Sequence, residues 1–561
     1  MSEAKASLFE TRRDQILPIL EPEEIRRLSR FGSLHRYRAG EALATTGQVG
    51  LGLNVLLSGE VAITQRDEMG ADHPVVVHGP GSIVGELAQL SGRAALFNGT
   101  AQGDVEALGI PPDSLRALLV AEAELGERIM RALILRRVNL LETGLSGPVI
   151  VGRPASADML RLDNFLRRNG HPHYSLDIDT DPGAAALLTR FHLDPARLPI
   201  VVCPNGHVLH NPGLTDLART LGMVQAIRSD RVYDVTVVGA GPAGLATAVY
   251  AASEGLSVLV LDCQAFGGQA GASSRIENYL GFPTGITGMA LMGRAHAQAQ
   301  KFGVEMAIPD EATSLQADGE GSYSITVAGG ERVNTRTVVI ATGARYRQLG
   351  VAGIDALDGS SVHYWASPLE AKLAAGEDVA LVGGGNSAGQ AVVLLASQAK
   401  RLRLMVRSGS LAANMSRYLV DRISGLPNVE VLTGAEICAL DGRDGMLETI
   451  RWRNRFSGEE THCAARHLFL FIGAEPNTDW LAGSGFALDE KRFLRTGPEL
   501  GPRCHLLETN WPGVFAIGDV RSGSIKRVAS AVGEGAQVVA ALHAHLAAAG
   551  AGAAARLTAV S

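Results

Sequence analysis

The stretch Val235-Thr236-Val237-Val238-Gly239-Ala240-Gly241-Pro242-Ala243-Gly244 decides how this chain is read. A strand-forming run feeds a glycine-rich turn, and the turn opens into a segment rich in Ala, Val and Leu. In that strand–turn–helix setting the glycines are a dinucleotide fingerprint. Gly239 permits the tight turn, Gly241 lets the backbone approach a pyrophosphate, and Gly244 lets the helix pack close to the strand. The pyrophosphate then sits on the helix N-terminus, where unpaired N–H groups and the helix dipole favour an anion. The next strand, Val258 to Leu261, ends in Asp262, 23 residues after Gly239. A carboxylate there can accept hydrogen bonds from ribose hydroxyls.

A second turn, Gly383-Gly384-Gly385-Asn386-Ser387-Ala388, follows a second strand-forming run, Val379 to Val382. Ala388 replaces the third glycine, which the motif allows. The strand after it, Leu402 to Val406, ends in Arg407 and not in a carboxylate. An Arg beside the adenosine ribose pairs with a 2′-phosphate, so NADPH is preferred over NADH. Taken alone, Arg407 also reads as a solvated surface charge. Two such units imply two dinucleotides and electron transfer between them.

The 561 residues exceed what one core serves, so several domains are expected. The 46% apolar and 19% charged shares suit a globular protein, and a net charge of −7 argues against nucleic acid as a partner. No apolar run is long enough to span a membrane, and Met1 to Glu10 lacks the apolar core of a signal peptide. The chain is therefore read as soluble and cytoplasmic. The five cysteines, Cys203, Cys263, Cys438, Cys463 and Cys504, show no C-x-x-C spacing. That excludes a disulfide framework or a zinc site, so no metal is expected, and the cysteines read as buried small apolar residues.

Three regions follow: 1–145, 146–228 and 229–550. The first has short helices (Phe9 to Leu20, Pro22 to Leu28), then strands from Leu34 to Leu108, then a helical run from Pro111 to Leu141, as in a β-roll with helices. The second alternates as βαβαββα, a small α/β layer. The third holds both glycine turns, and the Ala-Gly-rich segment Ala547 to Ala555 is expected to fray.

Over residues 232–548 the chain resembles the thioredoxin-reductase-like flavoproteins. Gly267-Gly268-Gln269 and Ile276-Glu277-Asn278-Tyr279 match the segments that family places beside FAD. Ala341-Thr342-Gly343-Ala344 and Ile472-Gly473-Ala474-Glu475-Pro476-Asn477 match its two hinges, and Val514-Phe515-Ala516-Ile517-Gly518-Asp519 its C-terminal flavin motif. The resemblance implies FAD on a split domain, 232–345 plus 473–548, with a nicotinamide domain inserted at 346–472. It carries the flavin contacts to Gly239, Gly241, Ala243, Gly244, Asp262, Gly268, Gln269, Asn278, Thr342, Gly343, Gly518 and Asp519. The segment Arg527-Val528-Ala529 falls where the family lays backbone on the isoalloxazine ring. The nicotinamide contacts fall on Gly383, Gly385, Asn386, Ser387, Ala388 and Arg407. Of the family's H-R-R-x-x-x-R signature, Val406, Arg407, Ser408 and Ala412 occupy the places, so one basic residue survives.

The redox dithiol of the family, C-A-T-C, is missing. Its cysteine places hold Ala366 and Leu369 in Trp365-Ala366-Ser367-Pro368-Leu369, and neither offers a thiolate. Tyr364 and Trp365 then either line the flavin pocket or serve as ordinary packing residues.

Residues 25–140 resemble the cyclic-nucleotide-binding domain through Tyr37-Arg38-Ala39-Gly40-Glu41, Leu57-Ser58-Gly59-Glu60-Val61 and Gly85-Glu86-Leu87-Ala88. The family's phosphate-pairing Arg falls at Ala95, with Arg93 two residues early. A ligand would use Gly85, Glu86, Leu87 and Arg93, and weak or no binding is expected. The other reading is a barrel kept for dimerisation or docking. Residues 147–225 resemble a thioredoxin or glutaredoxin fold, with Leu198-Pro199-Ile200 at its cis-proline place. The redox position, Gly152 to Asp158, holds no cysteine.

The leading reading is an FAD enzyme that oxidises NADPH, or NADH, and passes electrons to an unidentified acceptor: a quinone, oxygen, a protein, or a disulfide in a partner. The alternatives are a non-catalytic flavin- or nucleotide-responsive sensor and a disulfide reductase using a partner's thiols. A homodimer is expected.

Overall fold

A computed structural model describes residues 12–560 except 50–51, 67–71, 86–94, 144–146, 155, 192–193, 195–196, 205, 225–226, 274, 277–278, 320, 352–353, 355–356, 358–359, 365, 367, 444–445 and 503. Short strands near the N-terminus pair into two four-stranded antiparallel sheets. One holds Ser33–Tyr37, Val105–Ile110, Leu53–Ser58 and Ile83–Val84, the other Ala42–Ala44, Asn98–Ala101, Val61–Arg66 and Asp72–His78. Pro22 starts the helix Pro22–Leu28 where its missing N–H costs nothing. The helix expected over Phe9 to Leu20 is the single turn Arg13–Ile16 within the described residues. The single run expected from Pro111 to Leu141 is two helices, Pro112–Ala121 and Ala123–Thr143. Glu122 breaks it, leaving helical geometry at φ −109°, ψ 82° while its carboxylate pairs with Arg27 and Arg30.

The middle region forms one sheet in the order Tyr174–Asp177, Val149–Gly152, Ile200–Val202, Val208–His210, with the first pair parallel and the rest antiparallel. Alternation along Val149–Gly152 serves two cores. Ile150 packs with Leu162, Phe165 and Leu217, whereas Val149 and Val151 pack with Leu176 and Leu187. The Leu198–Pro199 peptide is cis.

The rest of the chain is built on two larger sheets, one inserted in the other, with a three-stranded antiparallel sheet of Ala435–Arg443, Met446–Asn454 and Glu460–Ala464 beside the inserted one in sequence. The outer sheet runs Glu305–Ala307, Val258–Leu261, Val232–Val238, Arg332–Ile340, then the antiparallel pair Tyr323–Val327 and Ala312–Ala317. Val514–Ala516 returns from the far side of the insertion to pair in parallel with Arg332–Ile340. The inserted sheet is all parallel: Val362–His363, His467–Leu470, Asp378–Val382, Arg401–Val406, Val429–Thr433. The inner strands His467–Leu470 and Asp378–Val382 are almost wholly buried, as expected of strands covered on both faces, whereas the edge strand Val429–Thr433 exposes Glu430 and Val431. The segment expected to fray, Ala547 to Ala555, is helical and lies inside Val528–Val560. Alanine is the strongest helix former, and its abundance outweighs the glycines there. No described helix is long and apolar enough to cross a membrane.

Candidate functional site

Each glycine of the first turn has a different physical reason. Gly239 sits at φ +113°, and a Cβ there would lie 2.2 Å from the Ala341 carbonyl oxygen. A Cβ on Gly244 would lie 1.8 Å from the Gly239 oxygen, so this glycine sets the helix–strand distance. A Cβ on Gly241 would meet only Gly268 Cα, at 3.9 Å. The second glycine therefore faces open space at the start of helix Pro242–Ser253. Pro242 carries no N–H, so Ala243 and Gly244 bring the first donors of the helix end to that space. Backbone without a side chain, at a helix N-terminus, fits the pyrophosphate of a dinucleotide.

Asp262 performs a task that sequence reading missed. Its Oδ2 accepts from Ala240 N–H at 2.9 Å, and its Oδ1 accepts from Gln264 and Ala265 N–H at 3.0 and 3.1 Å. Burial pushes its carboxyl pKa up, and these three donors pull against that. The carboxylate thus fastens the turn to the loop 263–269 and keeps lone pairs for further donors. Within that loop Gly267 donates to the Ala240 oxygen at 2.7 Å. Gly268, at φ +53°, rests its Cβ position 3.1 Å from Gly241 Cα. Gln269 donates to the Ala344 oxygen, which ties the loop to the first crossing between the two layers.

The C-terminal flavin motif arrives on the other side. Gly518 follows strand Val514–Ala516, and a Cβ there would lie 3.0 Å from the Ala243 methyl. Its N–H donates to Glu534 at 2.6 Å. Asp519 is half-buried, and burial raises its carboxyl pKa against the pull of Lys526. Arg527 precedes helix Val528–Val560, and Val528 and Ala529 open it. Thr342 and Gly343 follow strand Arg332–Ile340 at the first crossing. Asn278 lies outside the described residues.

The second turn repeats the logic. A Cβ on Gly383 would lie 2.6 Å from the Phe471 oxygen, whereas nothing lies within 4 Å of one on Gly385. Ala388 is buried, and its methyl is 3.1 Å from the Cβ position of Gly383. Asn386 accepts from the N–H and the hydroxyl of Ser416, at 2.7 and 2.9 Å. It therefore clamps the segment after Arg407 against the turn. Ser387 and Arg407 are exposed.

Ala366, expected at a dithiol place, is half-buried and packs against the inserted layer's core. Leu369 lies in helix Pro368–Leu373, and Trp365 is outside the described residues. Tyr364 is buried and stacks on Tyr346, with ring centres 6.1 Å apart at 13°. That favours packing for Tyr364 over flavin contact. Burial holds the Tyr346 hydroxyl at about 12. The expectation of buried cysteines holds for Cys203 and Cys463, whereas Cys438 and Cys504 are half-buried and Cys263 is exposed. Cys263 lies two residues past the end of strand Val258–Leu261, after Asp262. Burial pushes the Cys203 thiol up to about 12, which removes thiolate character at neutral pH.

In the N-terminal region Glu86, Leu87 and Arg93 lie outside the described residues. Gly85 is buried and its oxygen accepts from Arg136 at 2.7 Å. Ala95, at the place of the phosphate-pairing Arg, is 1% exposed. A pocket beside Gly85 is lined by Ile63, Gln65, Val75, His78, Phe97 and Arg136. Burial and Arg136 hold the His78 pKa at about 3, so that histidine is neutral.

Two glycine turns, each with its second glycine facing open space, each following a strand paired in parallel with its neighbours, on two sheets joined by paired crossings, define a two-dinucleotide oxidoreductase. Residues 233–535 match the family model for the pyridine nucleotide-disulphide oxidoreductases, and residues 34–122 match that for the cyclic nucleotide-binding domain. The chain belongs to the pyridine nucleotide-disulphide oxidoreductase family. It is 32% identical over 308 residues to thioredoxin reductase of Mycolicibacterium smegmatis, covering 55% of this chain and 94% of that one. It is 33% identical over 328 residues to the F polypeptide of alkyl hydroperoxide reductase from Pseudomonas putida, covering 57% of this chain and 60% of that relative. The crystal structure of Lactococcus lactis thioredoxin reductase superposes with a TM-score of 0.52 at 26% identity, over 56% of this chain and 99% of that one. That of T. acidophilum thioredoxin reductase gives 0.51 at 29% identity, over 56% and 98%. The family implies a flavin and a pyridine nucleotide.

Proposed function

We propose that the protein is an FAD-dependent oxidoreductase that oxidises NADPH and delivers the electrons to an acceptor without the family's dithiol. The observation that carries this reading is the paired openness of Gly241 and Gly385, each at the start of a helix. FAD supplies two-electron exchange between a reduced nicotinamide and an acceptor when it is bound. The protein's part is binding and orientation. Gly239 to Gly244 cradle the flavin pyrophosphate, with Asp262 toward the adenosine ribose, Gly268 and Gln269 over the turn, and Asp519 toward the ribityl chain. Asn278, Thr342, Gly343 and the segment Arg527 to Ala529 complete the same site. Gly383 to Ala388 hold the nicotinamide dinucleotide, and exposed Arg407 takes the 2′-phosphate, which favours NADPH over NADH.

The boundaries 232–345 with 473–548 for the flavin domain, and 346–472 for the nicotinamide domain, belong to this reading. So do residues 1–145 as a cyclic-nucleotide-type unit with weak or no ligand binding, and 146–228 as a thioredoxin-like unit without thiol chemistry. With Ala366 and Leu369 at the dithiol place, electrons leave the flavin directly to an acceptor from outside the chain.

Mixing the purified protein with NADPH tests the proposal. Rapid loss of flavin absorbance supports the enzyme, and none with either nicotinamide leaves a flavin-responsive sensor. Turnover that appears only on adding a dithiol protein identifies a reductase that uses a partner's thiols.

A further inference from the structure

The helix Ala157–Arg168 of the middle unit ends against the loop that covers the first glycine turn. Its end is a glycine cap: Gly170 is left-handed at φ +59°, Gly170 N–H donates to Arg167 O at 3.0 Å, and His171 N–H donates to Leu166 O at 2.9 Å. The cap fixes the two residues before it. Asn169, 1% exposed, donates to Phe165 O at 3.0 Å and across the boundary to Gln264 O at 2.9 Å. Arg168 donates to Gly268 O at 3.3 Å and to the Gln264 side chain at 3.4 Å. Gly268 is the residue whose Cα lies against Gly241.

Charge gives this contact its meaning. Residues 232–274, which include the whole first turn and its covering loop, contain no Lys and no Arg. They contain Asp234, Glu254 and Asp262. A pyrophosphate diester brings two negative charges into this neighbourhood, beside the Asp262 carboxylate. The helix end supplies only partial positive charge. Arg168 brings a full positive charge to the covering loop, and its field pulls down the pKa of both Asp262 and Tyr346. Its guanidinium thus acts on the adenosine side of the turn and on the crossing at the same time.

We propose that Arg168 is a flavin-binding residue donated by the middle unit, the counter-charge for the dinucleotide pyrophosphate over Gly241, with Asn169 holding it in place. This rests on the assignment of FAD to the first turn. It gives the middle unit a task that needs no cysteine, and it makes the flavin site a product of two units.

Titration of the flavin-stripped full chain with FAD, followed by flavin fluorescence, tests this. Arg168→Ala and Arg168→Met raise the Kd for FAD about tenfold, the scale of one charge-assisted contact, while Arg168→Lys stays near the parent. Riboflavin, which has no phosphate, binds the parent and Arg168→Ala equally. An unchanged FAD affinity in the Ala and Met variants overturns the proposal. So does an equal weakening of riboflavin, which would mark Arg168 as packing. Gly241→Val separates the two levels: loss of FAD binding there with no effect at Arg168 leaves the site and removes the counter-charge. Intact FAD binding in Gly241→Val removes both.

Discussion

Thr342 and Asn477 hold each other by two reciprocal hydrogen bonds: Thr342 Oγ1 donates to the Asn477 carbonyl and Asn477 Nδ2 to the Thr342 carbonyl, both at 2.9 Å. One residue leaves the outer layer and the other returns to it, so the bonds tie the two crossings together. Strands Ala344–Tyr346 and Ala474–Pro476 pair beside them, and Asn477 N–H donates to Gly343 O at 3.1 Å. Asn477→Ala strips partners from half-buried polar groups, at a cost of about 1–3 kcal/mol in urea unfolding. In stopped-flow mixing with NADPH the same variant should reduce its flavin more slowly while keeping full flavin content. A variant with parent-like bleaching would show that the crossings do not set the relative placement of the two dinucleotides.

The glycines of the first turn separate binding from folding. Gly241→Val should give a folded protein that purifies colourless, because the side chain occupies open space needed by the pyrophosphate. Gly244→Ala should lower stability, because its methyl would lie 1.8 Å from the Gly239 oxygen. Overpacking of this kind costs about 1–3 kcal/mol. Flavin content and the Tm of the stripped protein distinguish the two. A yellow Gly241→Val protein would overturn the flavin assignment.

Arg407 is exposed, so its removal should leave stability unchanged. Arg407→Ala is expected to raise KM for NADPH about tenfold, the scale of one charge-assisted phosphate contact, and to leave NADH nearly unaffected. Steady-state kinetics with both nicotinamides decides this. Equal effects on the two would return Arg407 to a solvated surface charge.

What could be read from the sequence was local. The strand–turn–helix units at Gly239 and Gly383 carry their geometry in a few adjacent residues, and the middle region shows the expected βαβαββα order. The break at Glu122 was hidden: its carboxylate pairs with Arg27 and Arg30 far away in the chain, which no local pattern reveals. The tasks of Asp262 and Asn386 were only half visible. Their residue types pointed to a ligand, whereas the structure also uses both to hold backbone in place. Arg168 had no sequence signal at all, since its importance comes from the lack of cations in a segment about a hundred residues later. The same holds for pairs such as His363 and His467, which look ordinary until two strands meet.

Those two histidines supply a pH dependence. His363 Nε2 and His467 Nδ1 are 3.0 Å apart on adjacent strands, both rings are buried, and His363 stacks on Phe469 at 4.8 Å. One ring must donate and the other accept, so the neutral forms fit the pair. Burial holds His363 at about 3 and pushes His467 below its usual value. Both folded-state values lie below the unfolded value near 6.5, so the unfolded chain takes up protons first as pH falls. The pair therefore costs nothing above pH 6.5, and stability drops as pH falls from 6.5 toward about 3, by up to about 1.4 kcal/mol per pH unit for each histidine. Urea unfolding at pH 7 and pH 5 measures the loss. Replacing both residues by Gln keeps hydrogen-bonding groups and removes the titration, so the loss between those pH values should shrink by about 2 kcal/mol from His363 alone. An unchanged pH slope in the His363→Gln/His467→Gln variant would mean that this pair takes up protons equally in the folded and unfolded states and that other groups drive acid unfolding.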